Sequence, residues 1–503
     1  MPRLYPEGMR MRVPKPHLKH SRWVLTMLGV AAGLSASAQY RAVLVLPSGY
    51  ASCSLSGIDG GALVGSANLT PQGASHALFW SLPSPVDLTP PGFNTSYAVG
   101  ISGGSEVGYG TTPSTANRAL LWTGDAAGFV DLHPAGFFMS QANAVSGASQ
   151  VGVAYVSGTL KPHAILWHGS AAGFVDLNPP GFVSSTAYGV DGDTQVGSAS
   201  FDGAFSDAVL WQGTAASAVD LDDGTHNSVA EGVWGDTQVG VSRTHAVLWH
   251  GTADSKVDLN QPAIMPFSYA FAIRGNTEVG EFTDLTIRHA AVWQGTAASG
   301  MDLHPFIAAA GITDPDGNPL VNSAALAVDA DGTIAGSAWT QSTSYGILWV
   351  PIRTIAGTVD LRNLTATPAG TLATIEIRAP GSTTPLETDV VALDSNGGFT
   401  FTANVPPGTY DITAKASHWL RRKLPSQTLG VFGATGLAFS LTNGDINGDN
   451  SVSLADFGLL KVAYGSTSSS SNWNPNADLN GDGTVSLADF GILKLSYGQS
   501  GDN

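Results

Sequence analysis

From residue 40 to about 350, apolar and small polar positions alternate in short runs of strand length, and one run keeps returning. It closes on tryptophan: His76-Ala-Leu-Phe-Trp80, Arg118-Ala-Leu-Leu-Trp122, His163-Ala-Ile-Leu-Trp167, Asp207-Ala-Val-Leu-Trp211, His245-Ala-Val-Leu-Trp249, His289-Ala-Ala-Val-Trp293 and Tyr345-Gly-Ile-Leu-Trp349. The spacings between these tryptophans are 42, 45, 44, 38, 44 and 56 residues, the size of one four-stranded propeller blade. Three further strand-sized pieces hold fixed places in each unit. A Ser-x-Ala-x-(Gly/Ala)-Val piece such as Ser185 to Val190 comes first, then a Val-Gly piece such as Gln195-Val196-Gly197. After the tryptophan and a small-residue turn comes Val-Asp-Leu, as at 86–88, 130–132, 175–177, 219–221 and 257–259, with Met301-Asp-Leu303 as a variant. Four short strands separated by turn residues make one antiparallel blade.

The two ends of this array predict how it closes. Seven tryptophan strands stand against six Val-Asp-Leu strands, and none follows Trp349 at the usual spacing. The missing strand stands at the start, where Leu44-Val45-Leu46-Pro47-Ser48-Gly49-Tyr50 parallels Asp131 to Phe137. An N-terminal strand that completes the last sheet closes a ring and removes an open edge. The spacing predicts a seven-bladed β-propeller over 39–352.

Between residues 355 and 441 the repeat stops, and strands of another kind appear at Thr358–Leu361, Thr374–Ile377, Val390–Leu393, Phe399–Phe401, Thr409–Ile412 and Leu437–Ser440. Turns such as Asp394-Ser-Asn396-Gly397 and Pro406-Pro-Gly408 join them. Six or seven strands in this length predict a small β-sandwich over 353–442. The cluster His418-Trp-Leu-Arg-Arg-Lys423 is the one concentration of basic charge after residue 38; it either packs against the C-terminal tail or forms a ligand patch.

The last stretch, 443–503, changes period from two to about 3.6. Leu454, Phe457, Leu460 and Tyr464 recur at helical spacing, and Leu487, Phe490, Leu493 and Tyr497 repeat them 33 residues later. Each helix follows a twelve-residue loop rich in oxygen side chains. The first carries Asp445, Asn447, Asp449, Ser451, Ser453 and Asp456 at positions 1, 3, 5, 7, 9 and 12. The second carries Asp478, Asn480, Asp482, Thr484, Ser486 and Asp489. Such a loop offers the six to eight hard oxygens that calcium takes, position 7 contributing its backbone carbonyl. Position 12 is Asp rather than Glu, and position 6 is Asn450 in the first loop against Gly483 in the second; neither change removes a ligand. Two calcium ions are expected.

A duplicated loop with an exiting helix and no helix before it resembles the dockerin family. The resemblance implies docking onto a cohesin-like module of a scaffold or cell-surface protein. It further implies that Leu454, Ala455 and Lys461 form one partner-facing surface, and Leu487, Ala488 and Lys494 a second one related by a two-fold rotation. Packing of Leu454 and Leu487 between the two helices is the competing reading. The tryptophan repeat resembles the extracellular repeats named for a His-Ala-Phe motif, which implies export and assigns no chemistry. The 353–442 stretch resembles prealbumin-like modules found beside carboxypeptidases, on Pro-Pro-Gly-Thr-Tyr-Asp at 406–411.

Composition agrees with a mainly β chain. Only 12% of its 503 residues are charged and 61 are glycine. The net charge is −17, which makes nucleic acid and anionic membranes poor partners. Arg10, Arg12, Lys15, Lys19 and Arg22 precede an apolar run at 23–34 and then Ala36-Ser37-Ala38. This pattern reads as a secretory signal over 1–38, with Met9 or Met11 as alternative starts, and is too short to span a bilayer. Its removal would leave 16 basic against 38 acidic side chains and a net charge of −22. Cys53 is alone, so no internal disulfide forms, and it reads as a small buried apolar residue.

Candidate chemistry in the ring is sparse. The head residue of the tryptophan strand changes from His to Arg118, Asp207 and Tyr345, which a metal ligand would not survive; a structural hydrogen bond fits. The Asp of Val-Asp-Leu suits a turn that caps backbone N–H groups, and the tryptophans suit packing between blades. Irregular polar positions are Asp222, Asp223, His226, Trp234, Glu281 and the turn Asp314-Pro-Asp316-Gly-Asn318. No nucleophile elbow, zinc-spaced histidine pair or phosphate loop is present. The expected function is a secreted or surface-attached binding or display protein with a calcium-dependent anchor. Alternatives are a polysaccharide-acting glycoside hydrolase borne by the same tail, whose carboxylate pair only a fold would bring together, and a structural surface-layer component.

Overall fold

A computed structural model describes residues 39–70, 73–81, 84–113, 116–203, 205–222, 226–341 and 343–503. The signal segment 1–38 and Asp223 lie outside the described residues. Among the described residues, seven four-stranded antiparallel sheets follow one another in chain order, each packed against the next and the last against the first. In each sheet the Ser-x-Ala piece is the innermost strand, followed by the Val-Gly, tryptophan and Val-Asp-Leu strands. The sheet over 184–220 shows the pattern: Ser184–Asp191, Thr194–Ser200, Asp207–Trp211 and Val219–Asp220. The seventh sheet is completed by Tyr40–Val45, which pairs antiparallel with Ser344–Pro351 and sets Val43 opposite Leu348. The ring therefore closes as its split repeat predicted.

Each repeated residue has an identifiable task. The tryptophan of one blade is fully buried against the preceding blade, as Trp167 is against Val107, Leu121 and Leu132. The glycine of Val-Gly is required by close approach, since a Cβ on Gly197 would strike the carbonyl oxygen of Thr186 on the inner strand, and the same holds for Gly65, Gly108, Gly152, Gly240, Gly280 and Gly336. Every inner strand carries a one-residue register shift at the same level, as between Ala187 and Gly189. Such bulges raise local twist. The inner-strand serine bonds blade to blade: the Ala164 N–H donates to Ser185 Oγ at 3.0 Å and the Ala246 N–H to Ser268 Oγ at 3.0 Å.

The His and Asp motifs are two halves of one device. His163 Nδ1 lies 2.8 Å from Asp176 Oδ2, while Asp176 Oδ1 accepts from the Asn178 N–H at 2.9 Å. His76 with Asp87, His245 with Asp258, and His289 with Asp302 repeat the pair, and Arg118 replaces the histidine against Asp131. A pair across neighbouring strands explains why Arg is tolerated at the head of the tryptophan strand, and is the structural bond expected there. Cys53 is buried, its thiol bonded to the Val45 carbonyl and pushed up to about 12, chiefly by burial.

A third repeated staple carries a prediction. Gln150, Gln195 and Gln238 each accept from a turn glycine N–H through Oε1, and donate through Nε2 to the carbonyl two residues back. Glu106 and Glu278 make the first bond, to Gly124 and Gly295, but carry no second donor. Glu106 Oε1 is buried without a partner, and burial is the main cause raising both carboxyls above their ordinary value. A carboxyl raised in the fold contributes most when protonated, and that contribution is lost as pH rises through its folded value. Glu106→Gln with Glu278→Gln should therefore raise the thermal midpoint at pH 7 by about 1–3 °C. At pH 3 it should leave the midpoint unchanged, which differential scanning at both values checks.

Seven strands form the sandwich. One sheet holds Arg353–Leu361 between Gly398–Ala403 and Gly433–Leu441; the other runs Pro385–Ala392, Leu372–Arg378, Gly408–Ala416, Arg422–Leu429. The last of these is not evident in the sequence, because its Pro425 and its polar, basic residues mask an edge strand. Ile355, Ile375, Ile377, Ile412 and Phe439 fill the space between the sheets. Arg353 Nη2 donates to the Asp331 carbonyl at 2.6 Å, and Tyr40 meets Phe432 edge-on, so the sandwich abuts the ring at the end carrying the turns between the first two strands of each blade. The C-terminal segment carries two helices, α1 (Leu454–Ala463) and α2 (Leu487–Ser496); among the described residues the ring has one short α-helical turn, Pro305–Ala309.

Candidate functional site: the two loops and their helices

Both loops of the C-terminal segment fold back on the start of their own helix. Position 9 is the helix N-cap and position 12 the third helical residue, so Ser453 with Asp456, and Ser486 with Asp489, form capping boxes. That second duty suits the shorter Asp at position 12. Asp456 Oδ1 accepts from the Asn447 N–H at 3.0 Å and Oδ2 from the Ser453 N–H at 2.7 Å. Asp489 does the same for Asn480 and Ser486. The position 5 carboxylates close the loop middle: the Ser451 N–H donates to Asp449 Oδ1 and the Thr484 N–H to Asp482 Oδ1, both at 2.9 Å. Asn447 and Asn480 each turn a side-chain amide to that carboxylate, at 2.8 and 2.9 Å.

The first carboxylates differ between the loops. Asp478 accepts from the Asp482 and Gly483 N–H groups, at 3.2 and 2.8 Å. Burial, and then the charges of Asp489 and Asp482, push its carboxyl up against those bonds. Asp445 is fully buried; its Oδ2 accepts from Lys415 Nζ at 2.7 Å and from the Asn450 N–H at 3.0 Å, while Oδ1 has no partner. Among the described residues no three His, Cys, Asp or Glu side chains are gathered into a metal-ligating group. The donor set is nevertheless all oxygen, and an orphaned buried oxygen at position 1 is what a hard cation would satisfy. The residues fit calcium.

The predicted partner-facing residues are all on the surface. Leu454 and Leu487 are each 69% exposed, so they do not pack between the helices. Phe457 meets Phe490 there, with ring centroids 5.9 Å apart, over Leu460, Leu493, Val452 and Val485. Ala455, Lys461, Ala488 and Lys494 are exposed as well. Tyr464 and Tyr497 are the C-caps rather than helical residues, and both stay exposed. Leu454, Phe457, Phe490, Leu493, Lys494 and Tyr497 line a shallow recess across the two helices.

The basic cluster at 418–423 packs against this segment and forms no open patch. The Asp445 N–H donates to the His418 carbonyl, the Arg421 N–H to Asn450 Oδ1, and the Asp502 N–H to the Arg421 carbonyl. Burial is the main cause holding the His418 imidazole down to about 4. Thr365 donates through both its N–H and its hydroxyl to the Asn480 carbonyl at 2.8 Å, so the second loop rests on the sandwich too. Sequence reasoning missed Lys415 and Thr365. The signal was thin: alternation along Gly408–Ala416 puts Lys415 on the outer sheet face, and no spacing ties it to a loop 30 residues away.

In the ring, the irregular polar residues fall into structural bonds. Asp59 and Asp329 meet Arg274 at 2.8 and 3.8 Å, and Arg274 lies over the Trp234 ring at 5.1 Å. Asp329 also accepts from the Gly60 and Gly61 N–H groups across the closing joint. Asp314 accepts from the N–H groups of Asp316 and Asn318, which makes 314–318 a turn. Glu281 pairs with Arg288 at 3.1 Å, and Asp222 accepts from the Ser228 hydroxyl at 2.7 Å.

No curated protein matches this chain. Among solved structures, a C-terminal interface mutant of the type II cohesin–X–dockerin complex from Acetivibrio cellulolyticus is 24% identical over 29% of this chain and 97% of that one, with a TM-score of 0.25. A puromycin hydrolase is 12% identical over 68% of this chain and 60% of its own, at 0.40, and Kuenenia stuttgartiensis hydrazine synthase 8% identical over 77% and 68%, at 0.32. Scores this low do not establish a shared fold, and the architecture stands on the sheets themselves. Residues 443–495 match the dockerin type I domain. The chain thus carries a dockerin type I domain behind a ring of seven β-sheets and a β-sandwich.

Proposed function

We propose that this chain is an exported binding or display protein whose C-terminal module takes up two calcium ions and docks onto a cohesin-like partner. The observation that carries the reading is the duplicated loop and helix with its apolar residues turned outward: Leu454 and Leu487, followed by Tyr464 and Tyr497, stay exposed in both copies after the sandwich has packed. Asp445, Asn447, Asp449, Ser451, Ser453 and Asp456 would hold one ion, and Asp478, Asn480, Asp482, Thr484, Ser486 and Asp489 the other. Calcium would supply rigidity there, fixing each loop and so the direction of its helix.

Two features of the ring support display over hydrolysis. At the mouth, Asp59 and Asp329 are held by Arg274 and by glycine N–H groups, which leaves these two a poor acid and base pair. The exposed Leu69, Phe138, Leu160, Phe201, Phe205 and Leu285 fall in loops and strand ends at one end of the sheets, opposite the end that the sandwich abuts. A surface so placed points away from the anchor. No helix among the described residues is long and apolar enough to cross a membrane.

Titrating the full chain with an isolated cohesin module by calorimetry tests the docking. Binding is expected in calcium and should vanish in chelator. Leu454→Asp with Leu487→Asp should weaken it at least about a hundredfold, as removal of central apolar anchors does, with the far-ultraviolet circular dichroism unchanged. Equal affinity in the double variant would move the partner surface elsewhere.

A further inference from the structure

The two loops are nearly the same in sequence and differ in what surrounds their first carboxylate. Each carries three aspartates, at 445, 449 and 456 and at 478, 482 and 489. In the second loop both oxygens of Asp478 rest on backbone N–H groups, and among the described residues no Lys or Arg forms an ion pair with its three carboxylates. In the first loop the sandwich reaches in. Lys415, on the strand Gly408–Ala416, puts its ammonium 2.7 Å from Asp445 Oδ2 and donates to the Trp419 carbonyl at 3.1 Å. The lysine side chain is 17% exposed and the aspartate 0%, so solvent screens this pair little. Asp445 Oδ1 stays buried and unpartnered.

We infer that Lys415 is a resident counter-ion for the first loop, holding Asp445 in place when no metal is bound and making this loop the weaker, later-filled calcium site. The inference rests on the calcium reading above and adds to it an order of filling. A carboxylate can serve two cations through its two oxygens, and Asp445 offers Oδ2 to the ammonium and Oδ1 to the metal. The cost falls on affinity. Counting the ammonium, the first loop presents one negative charge fewer than the second, and calcium affinity in such loops follows ligand charge. In exchange, a buried Asp445 without metal is not left as an unpaired charge. The first loop thus keeps a charged bond to the sandwich when calcium is scarce, while the second is held there by the neutral Thr365 bonds.

The test uses the full chain and calcium alone, by calorimetry. Unmodified protein should show two classes of site, and Asp478→Ala should remove the tighter one. In that background, Lys415→Met, which keeps an unbranched stem and drops the charge, should tighten the remaining site by about tenfold and lower the thermal midpoint of the calcium-free protein. Lys415→Arg should keep the affinity of the parent, which separates the charge from the fit of the side chain. Equal calcium constants with and without the Lys415 charge overturn the inference alone and leave Lys415 as an interface contact. Absence of any heat in the Asp478→Ala protein overturns the calcium reading of the first loop and the inference with it.

Discussion

Asp445→Ala combined with Asp478→Ala is expected to abolish calcium uptake by the full chain and to unfold residues 443–503. Two helices of ten residues each are too short to persist alone in water. The core beneath them is small, built on Ile446, Val452, Leu460, Leu479, Val485 and Leu493, with Leu420 donated by the sandwich. Stability must come from the metal and from docking on the sandwich, and a ligand at a thousand times its dissociation constant contributes about 4 kcal/mol. The double variant loses more than chelation does, because Asp445→Ala also strands Lys415 in a buried place. Helical circular dichroism and limited proteolysis of the tail should report the loss, with the ring's own unfolding transition retained. A tail that keeps its helical signal and its resistance in the double variant would mean that packing alone folds it.

Replacing Tyr40–Val45 by a Gly/Ser run should have the largest effect on the ring. Six residue pairs to Ser344–Pro351 disappear, leaving that strand as an open edge. Tyr40 itself is 2% exposed and meets Phe306 and Phe432 edge-on, at 6.2 and 5.3 Å between centroids. Removing a buried aromatic of this size costs about 3–5 kcal/mol. The thermal midpoint should fall, and size-exclusion chromatography should show association through the exposed edge. An unchanged midpoint with a monomeric profile would mean that the Asp329 bonds to Gly60 and Gly61 close the ring without the strand.

The tail and the ring were legible for different reasons. The two loops are local: twelve consecutive residues carry every candidate ligand, and the capping residues Ser453 and Ser486 stand where the loop ends. The ring was legible because it repeats, so that seven copies average out each unit's noise and a strand missing at one end points to its counterpart at the other. By contrast, the edge strand Arg422–Leu429 was hidden, because Pro425 and its charges suit an edge as well as they suit a loop. The histidines and aspartates of the blades were each assigned a structural role, but their pairing was not visible. His163 and Asp176 are 13 residues apart, and only strand register brings them to 2.8 Å.

By itself the sequence determined the periods, the order of strands in each blade, the closing strand and the oxygen set of each loop, since all of these are written in short-range spacing. Only the tertiary structure decided that 418–423 is an interface, that Leu454 and Leu487 face outward, and that one loop has a lysine against its first carboxylate while the other has none. Those facts depend on which surface of one module lies against another. Packing of that kind joins residues such as Lys415 and Asp445, 30 positions apart, through a contact that no pattern along the chain encodes.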